Sequence, residues 1–268
     1  MKILISLLIF LFAPQMMWGN NQLWQYSKSD STKIVALLDE AKNEKEDTNF
    51  TLYFANKFIG IRYVASTLER NKTEKLVINL QELDCTTLVE NVLALTLCVK
   101  TKQYSFNQFC TFLQKIRYNN GVISYPTRLH YFSEWINDNT KQGFVKEINT
   151  PNPPFKSQQI LDLHYMSTQH HKYPMLVQNP SWIKEIRKME QMVSGKTVNY
   201  IPKGILNNSS LIKDVIKDGD IIAIVTARKG LDTSHIGFAS WHNGQLHLLN
   251  ASRIRGKVID ESMTLYQY

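Results

Sequence analysis

Cys85, His235 and Asn250 carry a thiol, an imidazole and a carboxamide, which together have the chemistry of nucleophilic catalysis. A nucleophilic thiol needs a lowered pKa, a base within reach and a group that orients the base. The start of a helix supplies partial positive charge and free amide donors, both of which favour a thiolate. The same amides can receive the oxyanion of an acyl-transfer intermediate. Histidine is the natural base, and an amide side chain can hold its far nitrogen in the required tautomer.

The segment around Cys85, QELDCTTLVENVLALTLCV at residues 81–99, predicts a buried helix that runs from Cys85 to about Val99. Its body is apolar, whereas its first turn is polar and contains the cysteine. Two explanations compete from the pattern alone. Cysteine is among the residues most often buried, so packing alone is one explanation. The other is that the helix start is there to produce a thiolate.

His235 and Asn250 lie in a predicted hairpin, with strands at 234–240 and 245–251. Asn243 and Gly244 between them form the strongest short hairpin signal in a sequence. If these two residues are the turn, Gly237 pairs with Asn250, and His235 becomes a diagonal neighbour of Asn250 on the same face. A slip of one residue would place them on opposite faces.

The same register predicts where the Cys85 helix packs. Gly237 and Ala239 share the face of His235, so this face is shallow and would let a helix approach closely. We therefore expect the Cys85 helix to lie on this small-residue face, with its first turn near His235.

The remaining elements place helices first and strands last, which predicts an α+β fold with helices packed on an antiparallel sheet. Helical periodicity is found at residues 31–43, 49–60, 105–118, 127–140 and 182–192, while 155–200 is otherwise weakly patterned. Residues 61–69 and 74–83 are typical of extended, turn-broken segments. Strands are predicted at 219–226, 234–240, 245–251 and 256–260, forming a meander.

The first 19 residues have the layout of a signal peptide, with Lys2 before an apolar run of about a dozen residues and Gly19 as a small residue for cleavage. This predicts export to the periplasm or the medium. No cysteine follows the run, and no later segment reaches the roughly 18 apolar residues of a membrane span. We therefore expect no stable membrane anchor in the mature chain of residues 20–268.

Charge and cysteine usage narrow the possible partners. The formal net charge is +8, but the basic residues are scattered without a run of five, so nucleic acid is not an expected partner. Cys85 and Cys98 on one helix are about 20 Å apart, beyond disulfide reach. Whether Cys98 pairs with Cys110 stays open. His170 and His171 have no second cluster with ligand spacing, so neither a metal nor another cofactor is expected.

Several segments together resemble a known family. A tyrosine segment, then Asp-Cys at a helix start, a Gly-Asp strand and a Ser/Thr-His strand resemble the NlpC-type cell-wall peptidases of the papain-like superfamily. A branch first catalogued as a domain of unknown function, which includes N-acetylmuramoyl-L-alanine amidases, is similar over residues 58–266. The matching segments are RYVASTLE, DCTTLVENVLAL, IRYNNG, TRLHYFSEWINDN, HYMSTQHHKYP, YIPK and GLDTSHIGF.

The resemblance implies a papain-like fold in which Cys85, at the start of a central helix, is the nucleophile, His235 the base and Asn250 the third residue. The branch usually carries histidine at the place of Asn250, although papain-like triads also use asparagine. The implied domain is a single catalytic unit at 20–268, with helical insertions around 100–200. The resemblance also implies substrate contacts, by Tyr63, Arg128, His130 and Tyr131. For Arg128, a surface salt bridge is an equally open explanation.

The implied activity is cleavage of the amide between N-acetylmuramic acid and L-alanine in soluble peptidoglycan fragments by a monomer. Two alternatives share most of the evidence. One is an endopeptidase that cuts L-alanyl–γ-D-glutamate, for which an acidic residue facing a free amino terminus would be the sign. The other is a muropeptide-binding protein without activity, which the presence of both Cys85 and His235 disfavours.

Overall fold

The computed structural model describes residues 23–148, 154–207 and 209–268. The predicted signal peptide at 1–19 lies outside the described residues. Within the described ranges, no helix combines the length and apolar character that crossing a membrane requires.

The described helices all precede the last four strands of the chain, and most of the longer helices follow the periodicity of the sequence. The helices are Lys28–Ala41 (α1), Phe50–Lys57 (α2), Cys85–Lys100 (α3), Phe106–Arg117 (α4), Phe132–Lys141 (α5), Tyr165–Thr168 (α6), Pro174–Gln178 (α7), Trp182–Val193 (α8) and Ser209–Val215 (α9). The short helices α6 and α7 lie in the weakly patterned part, since one turn is too short to show a period.

The strands form one large sheet and two small ones. The strands are Trp24–Gln25 (β1), Arg62–Tyr63 (β2), Leu76–Val77 (β3), Glu82–Leu83 (β4), Ser157–Ile160 (β5), Thr197–Tyr200 (β6), Ile221–Val225 (β7), Thr233–His242 (β8), Gln245–Ser252 (β9) and Lys257–Asp260 (β10). The large sheet has the order β4-β2-β10-β9-β8-β7. The α+β prediction and the antiparallel meander from β7 to β10 are confirmed. The two extended segments near residues 62 and 82 extend this sheet as β2 and β4, which pair in parallel.

The hairpin of β8 and β9 has the predicted register, with His242 opposite Gln245 and Phe238 opposite Leu249. Asn243 and Gly244 both have positive φ, at 50° and 78°. This is the backbone that a two-residue type I′ turn requires, and its twist matches that of the flanking strands. The turn therefore determines which β8 residues share a face with Asn250.

Helix α3 packs on the sheet face opposite to the one predicted. Its Leu88 and Val92 share a core with Phe238, Leu249 and Val258. This face offers large apolar side chains, and burying them against the helix gains more free energy than a shallow face of small residues would. The prediction that α3 packs on the face of Gly237 and Ala239 is therefore wrong.

The face of Gly237 and Ala239 packs against a different helix, α9. Ala239 and Leu248 pack against Ile212 of α9 and the nearby Ile216. Gly237 is small for a local reason, because a Cβ there would lie 2.8 Å from the carbonyl oxygen of Leu249 and 3.0 Å from Cβ of Asn250. The space beside Gly237 is thus occupied by the backbone and the side chain of β9.

Residues between α5 and α9 form a second, smaller core, in which Leu161, Leu163, Met166, Leu176 and Ile186 are buried with two tyrosines of the preceding segment. Buried Glu190 of α8 links this smaller core to Tyr131, the residue before α5. Its Oε1 accepts the Tyr131 hydroxyl at 2.7 Å and the Ser167 backbone N–H at 3.1 Å. This link holds the small core against the start of α5.

The cysteines are unpaired in the structure. Cys98 and Cys110 are buried in the core between α3 and α4, and Cys85 is partly buried; all three are free thiols.

Substituting Gly237 by alanine tests the close packing beside Asn250. We expect Gly237→Ala to lower the free energy of unfolding by about 1–3 kcal/mol, as overpacking of a filled interior does. Urea denaturation measures it. Gly204→Ala is the matched control, because a Cβ at Gly204 meets nothing within 4 Å. Equal stabilities of the two variants would contradict this account.

Candidate active site

His235 and Asn250 are joined by a hydrogen bond between Nε2 of the imidazole and Oδ1 of the carboxamide, at 3.0 Å. Asn250 is fully buried, and its Nδ2 donates to the carbonyl of Leu248 at 3.3 Å. With Nδ2 donating, Oδ1 is the acceptor, so Nε2 carries the proton. The Nδ1 atom is then the basic nitrogen of His235.

A β-bulge lies beside His235. Ile224 of β7 pairs with His235, whereas the next residue, Val225, pairs with Thr233, which leaves Ser234 as an extra residue in β8. Bulges bend a strand and redirect its side chains, and they recur next to functional sites. His235 lies at this bent end of β8, on the face away from the body of α3.

Cys85 is the first residue of α3, and a reciprocal cap holds it there. The Asp84 carboxylate accepts the N–H of Thr87 at 2.8 Å, and the Thr87 hydroxyl accepts the N–H of Asp84 at 2.9 Å. Such a capping box satisfies two amides that the helix leaves free. It therefore determines the direction in which the first turn presents the thiol.

The surroundings of Cys85 raise the pKa of its thiol to about 11, mainly because of burial and secondly because of the Asp84 carboxylate. The backbone N–H of Ile236 and the N–H and hydroxyl of Thr86 act in the opposite direction and favour the thiolate. Desolvation and the capping carboxylate thus outweigh the donors at the helix start, and the net effect is a raised pKa rather than the lowered one that a resting thiolate would need.

Burial likewise lowers the pKa of His235, against smaller raising effects from Asn250, Asp84 and Glu261. Cys85 and His235 are thus both neutral in the resting site at pH 7. A neutral thiol and a neutral imidazole that line one pocket are the groups that general-base activation of a nucleophile requires.

Cys85 and His235 line one pocket with a volume of about 160 Å³. The remaining lining residues come from the start of α3, from residues 129–135 and from the β7–β8 connection. They are Thr86, Leu129, His130, Tyr131, Phe132, Trp135, Leu231, Asp232, Thr233, Ser234 and Ile236. The pocket combines apolar walls with a few polar groups, which is typical of small-molecule sites.

The carboxylate that lines the pocket, Asp232, is buried and already has hydrogen-bond partners. Its Oδ2 accepts the N–H of Ser133 and its Oδ1 the N–H of Thr233, both at 2.7 Å. Through Ser133 it caps the first turn of α5 from outside that helix. Asp232 therefore holds two pocket walls together.

Of the residues predicted to contact substrate, His130 and Tyr131 line the pocket. The Nε2 of His130 is 2.8 Å from the carbonyl of Tyr125, and burial, with a further effect of Arg128, lowers the pKa of His130 to about 3. His130 is therefore neutral at pH 7. The hydroxyl of Tyr131 is bound to Glu190, so its ring is the part available to the pocket.

Arg128 and Tyr63 do not line the pocket. Arg128 is buried and pairs with Glu69 and with Glu74, the latter at 3.3 Å, and its guanidinium lies 4.7 Å from the Tyr125 ring centroid. The open alternative of a salt bridge is thus what the structure shows, although the bridge is buried. Burial, and secondly the neighbouring Cys85 and Asp84, raise the pKa of the half-buried Tyr63.

Sequence reasoning missed Asp232 and Tyr268. Asp232 directly precedes β8, the strand that contains His235, and this position was the only feature of the sequence that could have indicated it. Tyr268 has none, since only the tertiary structure brings it to His235, with ring centroids 6.1 Å apart and planes within 20°. In the described part of the chain, no group of three or more His, Cys, Asp or Glu residues could hold a metal ion.

Alkylation of Cys85 by iodoacetamide tests the neutral resting pair. Because the thiol has a pKa of about 11, we expect slow alkylation at pH 7 that accelerates steadily toward pH 11. Buried Cys98 and Cys110 should not react with iodoacetamide, and any alkylation measured in Cys85→Ala gives their contribution. A fast plateau from about pH 4 to pH 8 that disappears in His235→Ala would instead demonstrate a preformed ion pair.

The chain is similar to known proteins over most of its length. The AmiA-like family model, described as N-acetylmuramoyl-L-alanine amidase-like, matches residues 53–268. An N-acetylmuramoyl-L-alanine amidase from Bacteroides uniformis is 41% identical over 81% of this chain and 90% of that chain, with a TM-score of 0.76. No match was found among curated proteins.

Two further solved structures are similar. A Bacteroides fragilis protein named "putative xylanase" is 43% identical over 81% of this chain and 93% of its own, with a TM-score of 0.75. A Legionella pneumophila protein shares the fold at 24% identity, with a TM-score of 0.66 over 88% of this chain and 87% of that one. The family match covers most of the chain, and the chain therefore belongs to the AmiA-like, N-acetylmuramoyl-L-alanine amidase-like family.

Proposed function

We propose that this protein is a cysteine hydrolase that cleaves the amide between the lactyl group of N-acetylmuramic acid and L-alanine in peptidoglycan fragments. The observation that carries the proposal is the pocket that Cys85 and His235 share, with His235 held by Asn250 at 3.0 Å. Membership of an amidase-like family supports the bond type. A thiol on the first turn of a helix, with histidine and asparagine on a following antiparallel sheet, supports an NlpC-type, papain-like arrangement.

The first step would join the thiol sulfur to the lactyl carbonyl carbon. The proton of Cys85 passes to Nδ1 of His235 as the C–S bond forms, since neither group is charged beforehand. The carbonyl oxygen becomes an oxyanion. The amide of Cys85 lies in the first turn of α3, where the helix itself offers no acceptor, so it is the donor that we expect to receive that oxyanion, whereas the Thr86 N–H acts on the sulfur.

The second step breaks the C–N bond. The imidazolium of His235 gives its proton to the leaving nitrogen, and a peptide that begins with L-alanine departs. Water then attacks the thioester, with His235 taking a proton from it, and Cys85 regains its thiol as the sugar leaves with a free lactyl carboxylate. Asn250 keeps Nδ1 directed toward the sulfur in both steps by binding Nε2.

The pocket offers no comparable support for the other chemistries. An acidic group facing the free amine of L-alanine would favour an endopeptidase for L-alanyl–γ-D-glutamate, and each oxygen of Asp232 already accepts a backbone N–H that links two pocket walls. Glycoside hydrolysis, the activity in the name of the Bacteroides fragilis protein, generally needs two carboxyl groups flanking the bond. Asp232 is the one carboxylate among the residues that line the pocket.

Incubation with disaccharide–tetrapeptide fragments, followed by mass spectrometry, tests the proposal. We expect free tetrapeptide beginning with L-alanine, and no turnover by Cys85→Ala. Asn250→His should retain more activity than Asn250→Leu, which loses the acceptor for Nε2 and should fall about 100-fold or more. A sugar that still carries L-alanine alone would establish the endopeptidase instead. Intact fragments, bound but not cleaved, would indicate a binding protein.

We also propose that the protein is exported and processed after Gly19. The support is the signal-peptide layout of residues 1–19. Expression of the full chain should yield a mature protein that begins at Asn20, found by intact-mass measurement of the periplasmic fraction or the medium. A full-length chain retained in the cytoplasm would contradict export, and replacing several apolar residues of the run by aspartate should produce that result.

A further inference from the structure

Two exposed cations flank one tyrosine ring beside the β7–β8 connection. The guanidinium of Arg228 lies 4.6 Å from the Tyr165 ring centroid, and the ammonium of Lys172 lies 5.3 Å from it. Both also donate to the Tyr165 hydroxyl, Arg228 at 2.5 Å and Lys172 at 3.3 Å. One tyrosine side chain thus brings two positive charges together. We call Tyr165, Lys172 and Arg228 the cation pair site.

Among the residues that the structure describes, neither cation has a carboxylate within ion-pair distance. The Tyr165 hydroxyl supplies a shared acceptor but no negative charge. Two like charges held close together repel each other, and an anion between them would relieve this repulsion. Arginine also keeps free N–H donors in a planar fork that matches a carboxylate.

The cation pair site is joined rigidly to the active-site pocket. Arg228 and Leu231 are the ends of a turn closed by the Leu231 N–H on the Arg228 carbonyl at 3.2 Å, and Leu231 lines the pocket. Gly230 in this turn accepts the N–H of Tyr165 at 3.1 Å, and a Cβ there would lie 2.9 Å from that nitrogen. The turn and Tyr165 are therefore packed backbone to backbone.

The turn places Arg228 next to the pocket wall that Leu231 forms. The Cα atoms at the ends of a turn are less than about 7 Å apart. An extended peptide covers about 3.3 Å per residue, so a stem peptide that leaves the pocket past Leu231 would pass this turn within about two residues. In a stem linked through the γ-carboxyl of D-glutamate, the α-carboxylate of the second residue remains free, and the chain end supplies another carboxylate.

We propose that the cation pair site binds a carboxylate of the stem peptide while the sugar–peptide amide lies at Cys85. This inference rests on the proposed function, because it assumes a muropeptide substrate. It assigns Arg228 and Lys172 a role in substrate affinity and leaves the chemistry to Cys85 and His235. Substrates with the carboxylate should therefore differ from neutral analogues mainly in KM.

The test compares three muramoyl tripeptides with the sequence L-alanine, γ-linked D-glutamate and L-lysine. One has both peptide carboxylates free, one has the second residue amidated, and one has the C-terminus amidated. We expect at least one amide to raise KM about tenfold in the wild-type protein with kcat little changed, as expected for the loss of a charge-assisted hydrogen bond. The difference should shrink in 0.5 M NaCl. Equal KM values for all three tripeptides would overturn the proposal.

Arg228→Gln and Lys172→Gln should each raise KM for the tripeptide with free carboxylates and leave KM for the amidated tripeptide unchanged. The difference in KM between the two substrates should therefore disappear. Lys100→Gln is the control, since it removes the same charge from the far end of α3, about 22 Å from Cys85 along that helix. A matching KM increase in Lys100→Gln would show a general charge effect and reject the site.

Binding to Cys85→Ala by calorimetry separates this inference from the proposed function. The cation pair site is supported if Cys85→Ala binds the tripeptide with free carboxylates more tightly than an amidated tripeptide. This difference in affinity should be lost in Cys85→Ala/Arg228→Gln, and neither result requires that a bond is cleaved. Turnover of all three tripeptides at equal affinity would reject the cation pair site and leave the amidase proposal standing.

Discussion

The burial of α3 is the constraint on which the rest of the structure depends. Residues of this helix are buried from Thr87 to Val99, against α1, α2 and α4 on one side and the sheet on the other. A helix enclosed in this way has little freedom to slide or rotate, because its apolar surface would have to return to water. The Asp84–Thr87 cap then ends the helix at a defined residue. Cys85 consequently occupies one place at the end of the sheet.

The same burial determines the electrostatics of the site. A thiol enclosed by protein and placed next to the Asp84 carboxylate has a raised pKa, and the enclosed imidazole of His235 has a lowered one. The cap that positions Cys85 thus also opposes its ionisation. Such a site keeps its thiol protonated at rest, so the proposed mechanism needs a base such as Nδ1 of His235 to take the thiol proton during attack.

The pocket depends on parts of the chain outside the helix and the hairpin. The small core between α5 and α9 holds its walls through Glu190, which binds Tyr131, and Asp232 links α5 to the β7–β8 connection. Arg128, buried between Glu69 and Glu74, stabilises the segment that presents His130 and Tyr131. Breaking one partner of such a buried pair generally costs several kcal/mol, so Arg128 affects the pocket by holding this segment in place.

The sequence by itself determined the local features. The Asn243–Gly244 turn defined the hairpin register and hence the pairing of His235 with Asn250, and the polar-to-apolar change at Cys85 defined the start of α3. These features depend on contacts between near neighbours in the chain, which periodicity and turn chemistry encode. Only the tertiary structure decided that α3 packs on the Phe238 face, that Tyr268 covers His235, that Arg128 is buried and that the Cys85 pKa is raised. Each of these depends on which distant groups exclude water from a site, and a one-dimensional pattern does not contain that information.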